Sequence, residues 1–310
     1  LSRLPWLGPG YGLDPDAYRV VETGRRLVET GDWVPSRPPG FPLHEVAVAV
    51  VQALTHQPWA TNLLSAVAAV GLFLAFGALL RRLRVRAWWP LALALTFVPS
   101  VHAASTVTMD YLPGLALGVT AAWAVVAGRV PLAAGALALA IATRVTWGAL
   151  LPALLWWRGW GAEEKGRRGV EMAWLAGGAV AGLAAYLPAY LRDGAALLAF
   201  AENPAYPPLT TLAVRAGPDL WGTLGVLAVA ASVVGVVAVQ RRPFASVPLG
   251  RVLVFCGLAA VPFVVLFLRL PQESDSLLPV IPFALLALSM ALPPRGAGAL
   301  SLCLLLAPFV

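Results

Sequence analysis

Charge is what this chain has least of. Only 12% of its 310 residues are Asp, Glu, Lys or Arg, where an ordinary soluble domain carries about a quarter. With 59% hydrophobic residues and a mean hydropathy of +0.78, a large water-soluble core is excluded. The expected class is all-α: a polytopic membrane protein whose helices satisfy their own backbone inside lipid. Cysteine is nearly absent. Cys256 and Cys303 both lie in apolar blocks, which excludes a disulfide framework and a thiolate metal site. Lysine occurs once, at Lys165. The arginines sit in short clusters between apolar runs, so the net charge of +7 speaks for membrane topology and against nucleic acid as a partner. The opening LSRLPWLGPGYG has neither the initiator Met nor the pattern of a signal peptide. The last apolar run, Ala297 to Val310, is shorter than the roughly twenty residues a span needs. The expectation is a fragment of a longer membrane protein, lacking a first span.

Against that background one stretch stands out. Gly12 to Glu45 is the longest polar segment and holds six of the fifteen acidic residues. From Asp16 to Thr30 apolar residues recur on one helical face, with Arg19, Glu22, Arg25, Arg26 and Glu29 opposite, the pattern of a helix lying in the membrane interface. Asp14-Pro15 suits an N-cap followed by Pro at the first helical position. Pro35, Pro38, Pro39 and Pro42 then hold the chain extended. Two regions are expected: 1–59 as an extracytoplasmic loop with juxtamembrane helices, and 60–310 as a transmembrane module. About ten spans are expected there, at Ala60–Leu80, Ala87–Ser105, Tyr111–Ala127, Pro131–Ala142, Thr146–Trp157, Val170–Leu191, Trp221–Val239, Val252–Leu268, Leu277–Leu292 and the short Ala297–Val310. Placing Arg81–Arg86 inside puts thirteen bases and three acids on the inner side, and nine bases and twelve acids on the outer side. That asymmetry agrees with the positive-inside rule. It requires Pro42–Gln57 to hug the membrane without crossing, and it puts the polar loop, Asp110, Arg144, Glu202 and Glu273 outside. Trp88, Trp89, Trp156 and Trp157 read as interfacial-belt residues.

Several segments in this order resemble the GT-C glycosyltransferases, a group that includes protein O-mannosyltransferases and the aminoarabinose transferases that modify lipid A. They are the acidic pair before Tyr18, the amphipathic helix, Gly31-Asp32-Trp33, the run from Ser36 to Leu43, Thr108-Met109-Asp110, and Leu277 to Phe283. The resemblance covers most of the chain. It departs just before Leu277, where related proteins often carry an aromatic or basic residue and this chain has Asp275-Ser276. The resemblance implies sugar transfer from a polyprenyl-phosphate carrier, on the outer face of the cell membrane, to a glycan, lipid or protein acceptor. That chemistry needs a base for the acceptor hydroxyl, negative charge beside a developing oxocarbenium ion, and cations for the departing phosphate. One carboxylate base opposite the phosphate gives inversion.

Asp14 and Asp16 are the candidate bases. Asp14 matches the family's acidic position by its spacing to Tyr18, while the bland reading of Asp14 is a helix cap and that of Asp16 a first-turn carboxylate. Asp110 resembles the family's second acidic residue, or simply opens a helix. Arg144, an arginine between two apolar helices, is expected to grip phosphate with Arg37, or to snorkel to the interface. His44 and Glu45 are candidates for sugar contacts or for a divalent metal, against the plainer reading of a solvated loop end. Glu202 and Glu273 are further candidate contacts. No metal requirement follows from two aspartates two residues apart. A transporter or flippase of lipid-linked sugars is the rival from another class, and it would show paired broken helices in two related halves. A non-catalytic membrane subunit is a second rival, needing no acidic cluster.

Overall fold

The computed structural model describes residues 2–161, 165–194, 206–239, 249–271 and 274–310. Glu202 and Glu273 lie outside the described residues. All regular structure among the described residues is helical. Two helices form the polar opening region: α1 (Pro15–Thr30) and α2 (Pro42–Leu54). Then follow α3 (Pro58–Arg82), α4 (Trp88–Phe97), α5 (Pro99–Ala104), α6 (Tyr111–Val126), α7 (Val130–Thr143), α8 (Leu151–Gly161) and α9 (Lys165–Ala184). The remainder is α10 (Leu187–Asp193), α11 (Leu209–Ala216), α12 (Pro218–Val239), α13 (Leu249–Arg269), α14 (Val280–Ala291) and α15 (Pro294–Leu306).

The sequence signals for α1 are met at both ends. Asp14 is the N-cap and its carboxylate accepts from the Asp16 amide at 2.9 Å, while Gly31 closes the helix at φ 77°. A left-handed residue there lets the Gly31 amide reach the Leu27 carbonyl. Val20, Val21, Phe41 and Val48 form a small apolar cluster of their own between α1 and α2, so the amphipathic face of α1 is used on α2.

The larger core is built on α3, α6, α7 and α9, which pack successively on one another. Close approach of α7 and α9 depends on Gly178 and Gly182. A Cβ on either would sit 2.4–2.6 Å from the carbonyl oxygens of Ala134 and Ala138, the small-residue contact that draws membrane helices together.

Among the described residues, four helical stretches are long and apolar enough to cross a bilayer: Pro58–Arg82, Pro218–Val237, Leu249–Arg269 and Ser274–Ala291. The pair Arg168–Ala184 and Leu187–Asp193, bent by 48°, passes the same test together. The other expected spans are shorter helices. Ala87–Ser105 is not one continuous helix, because it breaks between α4 and α5 at Val98-Pro99, where proline has no N–H to continue the ladder. Thr146–Trp157 likewise begins as a 3₁₀ turn, Val145–Leu150, before α8.

Candidate active site

The polar loop is fastened to the helical body by buried hydrogen bonds. Asn62 on α3 donates to the carbonyls of Leu7 and Gly10 at 2.9 and 2.7 Å and accepts from the Thr108 hydroxyl at 2.6 Å. The Thr108 amide in turn donates to the Tyr11 carbonyl at 2.8 Å. The chain just before Asp14 is thus tied to the chain just before Asp110.

Asp16 is buried at the start of α1. One of its oxygens pairs with Arg19 at 2.8 Å and the other with Arg37 at 2.5 Å. Asp110, fully buried, pairs with Arg144 at 3.3 Å. The two pairs meet at one ring. Arg37 lies 5.4 Å from the centre of Phe41 and Arg144 lies 5.5 Å from it, with Tyr111 carrying Arg144 from another side at 4.6 Å. Residues 16, 37, 41, 110 and 144, scattered over the sequence, form one run of contacts. Arg144 retains 16% side-chain exposure, so it is neither snorkelled into water nor sealed away.

Arg144 sits where α7 ends and the 3₁₀ turn begins, in extended backbone. Trp147, within that turn, fixes the geometry. Its indole lies over Gly114 and Gly118 of α6, where a Cβ at Gly118 would be only 2.2 Å from the ring, and it meets Phe263 at 5.2 Å. Only glycine leaves room for that ring. Beside it runs a narrow cavity of about 20 Å³, lined among others by Tyr111, Arg144, Trp147, Asp275 and Ser276, with space for about one water. Asp275 and Ser276 were not singled out for a role; their place at the departure from the family pattern was the available signal.

His44 and Glu45 differ from the expectation of a solvated loop end. Both are buried on α2. Glu45 accepts from the Trp33 indole at 2.7 Å, from the Ser36 amide at 2.9 Å and from the Ser36 hydroxyl at 2.6 Å. Its carboxylate therefore closes the proline-rich loop on itself, and Arg37 is the residue next to the clasp. His44 hydrogen-bonds the backbone of Thr108, leaves its buried Nε2 without a partner, and is pushed down to about 4 by burial.

Most of the carboxylates that could hold a divalent ion are already engaged. Asp14 caps α1, Asp16 is held by two guanidiniums and Glu45 by three protein donors. No cluster of three or more His, Cys, Asp or Glu suited to a metal occurs among the described residues. A wider groove of about 500 Å³ opens between α1 and α2, lined among others by Tyr11, Tyr18, Arg19, Arg25, Gln52 and His56. Tyr11 and Tyr18 meet edge to face there at 5.5 Å.

The chain matches no protein-family model and no curated protein sequence. Among solved structures it is similar to the crystal structure of ArnT from Cupriavidus metallidurans in the apo state, with a TM-score of 0.63 over 96% of this chain at 19% identity. The fold is that of ArnT. The chain spans 59% of the length of ArnT, and the shared fold makes it an all-α polytopic membrane protein.

Proposed function

We propose that this chain is a membrane glycosyltransferase of the GT-C type that moves a sugar from a polyprenyl-phosphate donor to an acceptor hydroxyl. The observation that carries the reading is the contact run from Asp16 through Arg37, Phe41 and Arg144 to Asp110. It sets two guanidiniums against one phenylalanine ring beside the polar loop, and cations of that kind are what a lipid phosphate needs. ArnT, an aminoarabinose transferase, supports the reading through its fold, as do the motifs before Tyr18 and around Asp110.

Each residue has a part. Asp14 keeps one carboxylate oxygen outside its cap bond, whereas both oxygens of Asp16 are held by arginines. Asp14 is therefore the base and Asp16 the residue that positions Arg37. The acceptor O–H gives its proton to Asp14 as its oxygen bonds the anomeric carbon. The bond from that carbon to the phosphate breaks on the opposite face, and the electron pair stays with the phosphate. Arg144 and Arg37 neutralise the phosphate, and Asp110 fixes Arg144 between Phe41 and Tyr111. The groove beside Tyr18, one turn along α1 from Asp14, receives the acceptor's polar head. The site faces outside the cell, with the lipid carrier approaching from the membrane.

The test is transfer from radiolabelled polyprenyl-phosphate sugars, supplied one at a time to membranes containing the full-length gene product. Asp14→Asn and Asp110→Asn should each lower transfer by about a hundredfold or more, with the protein still present in the membrane. A flippase would move labelled donor across vesicles and form no glycosidic bond.

A further inference from the structure

Far from the candidate active site, a second cavity of about 430 Å³ opens at the opposite end of α3. It is lined by Ala78, Arg81, Arg82, Trp123, Ala127 and Arg129. The turn of α3 that begins at Pro58 lies beside the polar loop, and Arg81–Arg82 end this 25-residue helix, about 36 Å away along the axis. That is roughly one bilayer thickness including its interfaces. We propose that this cavity is a binding site for the headgroup of an anionic phospholipid in the membrane leaflet away from the polar loop.

Three observations converge on it. Helix capping does not account for the arginines. The last carbonyls of α3, at Leu79, Leu80 and Arg81, already accept from the amides of Leu83, Val85 and Arg84, so the side chains are not needed as caps. Gly128, at φ 78°, makes the turn from α6 to α7 and leaves Arg129 at the N-cap of α7. No acid among the described residues pairs with Arg81, Arg82 or Arg129. Three cations thus border one cavity with no acid paired to them among the described residues, and a phosphodiester supplies the counter-charge.

The tryptophans hold these arginines in place. Arg81 lies 5.1 Å over Trp88 and Arg129 lies 5.3 Å over Trp123. Stacked guanidiniums keep their N–H edges directed outward in a plane, the geometry that binds phosphate oxygens in pairs.

The third observation separates a lipid from a soluble phosphate. Along α3, Leu63, Val67, Val70 and Leu74 are exposed at 38%, 61%, 59% and 61%. Their spacing puts them on one helical face, and the same face continues through Ala78 to Arg81 and Arg82. An apolar track leads straight into the cationic cavity. A headgroup seated there lays its acyl chains on that track, and a free anion has no use for it.

The experiment uses the delipidated full-length protein in detergent, titrated with phosphatidylglycerol and followed by native mass spectrometry. Each arginine near an anionic headgroup is worth about fivefold, so the triple variant R81Q/R82Q/R129Q should bind phosphatidylglycerol roughly a hundredfold more weakly. R84Q/R86Q, at the same end of α3 but outside the cavity, should bind as the parent does. The triple Lys variant keeps the charge that sets topology and should still lose several-fold, because an ammonium neither forks nor stacks. Equal affinity in both triple variants, equal loss in R84Q/R86Q, equal binding of phosphatidylcholine, or displacement by inorganic phosphate would each overturn the proposal. If the Gln variant does not insert, the Lys variant decides.

Discussion

Removing the Glu45 carboxylate should open the loop that carries Arg37. Glu45 is fully buried and accepts three hydrogen bonds between 2.6 and 2.9 Å, two of them from Ser36. A hydrogen bond to a charged group contributes about 1.5–3 kcal/mol net. The donors on Trp33 and Ser36 are half-buried, so water recovers part of what Glu45→Ala removes. The loop also keeps a bond from Thr23 to the Val34 carbonyl at 3.0 Å and one from Arg192 to the Trp33 carbonyl at 2.6 Å. A local loss of about 3 kcal/mol remains, which is roughly a hundredfold more frequent opening of the loop. Ser36→Ala, which keeps the amide bond, should cost about 1 kcal/mol, and Glu45→Gln should fall between the two. Hydrogen–deuterium exchange of the Ser36 amide reads this directly, since that N–H is itself a donor to Glu45. Transfer kinetics should follow, with the donor KM rising more than kcat falls, because Arg37 is assigned to binding. Unchanged exchange at Ser36 in Glu45→Ala would falsify the clasp.

Four further outcomes follow from the structure. Gly118→Ala puts a Cβ 2.2 Å from the Trp147 ring and should destabilise by about 3 kcal/mol, seen as a lower Tm in detergent. Gly135→Ala, with nothing within 4 Å, should be neutral or stabilising by up to about 1 kcal/mol. His44 is held near 4 in the folded state, below its ordinary 6.5, because burial disfavours its charged form. The unfolded chain then binds more protons between those values, so the His44 contribution is intact above about pH 6.5 and falls as pH drops towards 4, by up to about 3 kcal/mol. His44→Gln should flatten that part of a stability–pH curve, and an unchanged slope would remove His44 as its cause. Phe41→Leu should weaken the coupling between Arg37→Gln and Arg144→Gln in a double-mutant cycle of donor binding, since both guanidiniums rest on that ring.

The parts of the fold that could be read from the sequence are those written in short-range pattern. Asp14-Pro15 and Gly31 bound α1 as their backbone preferences require, and the apolar stripe of that helix does face a partner. Asp110 was marked by the Thr108-Met109-Asp110 resemblance and Arg144 by its place between two apolar helices, and the two pair with each other. What escaped has no local signature. Glu45 binds residues 9 and 12 positions earlier, and periodicity cannot tell a buried acceptor on a short apolar helix from a solvated loop end. Asp275 and Ser276 reach the Arg144 cavity across more than a hundred residues. The break at Pro99 was written in the sequence, yet the apolar run around it masked a proline that ends one helix and starts the next.

The packing around Arg144 also bears on the choice between an enzyme and a carrier. A carrier must exchange two arrangements around its binding site, so the element holding the ligand has to move against its neighbours. Here the residue assigned to the phosphate is three positions from a tryptophan seated on two glycines of α6 and packed on Phe263 of α13. Its own guanidinium is set between Asp110, Phe41 and Tyr111. Moving Arg144 by an ångström means lifting Trp147 from a seat that a single methyl group would already overfill, and close-packed contacts of that kind resist graded displacement. Such a site suits chemistry that depends on one fixed geometry, as charge stabilisation at a departing phosphate does. The less tightly packed half is the proline-rich loop with Arg37, held by Glu45, by the ion pair with Asp16 and by a few half-exposed bonds. In the proposed reading, donor entry therefore falls to the loop, and phosphate stabilisation to the rigid half built around Arg144.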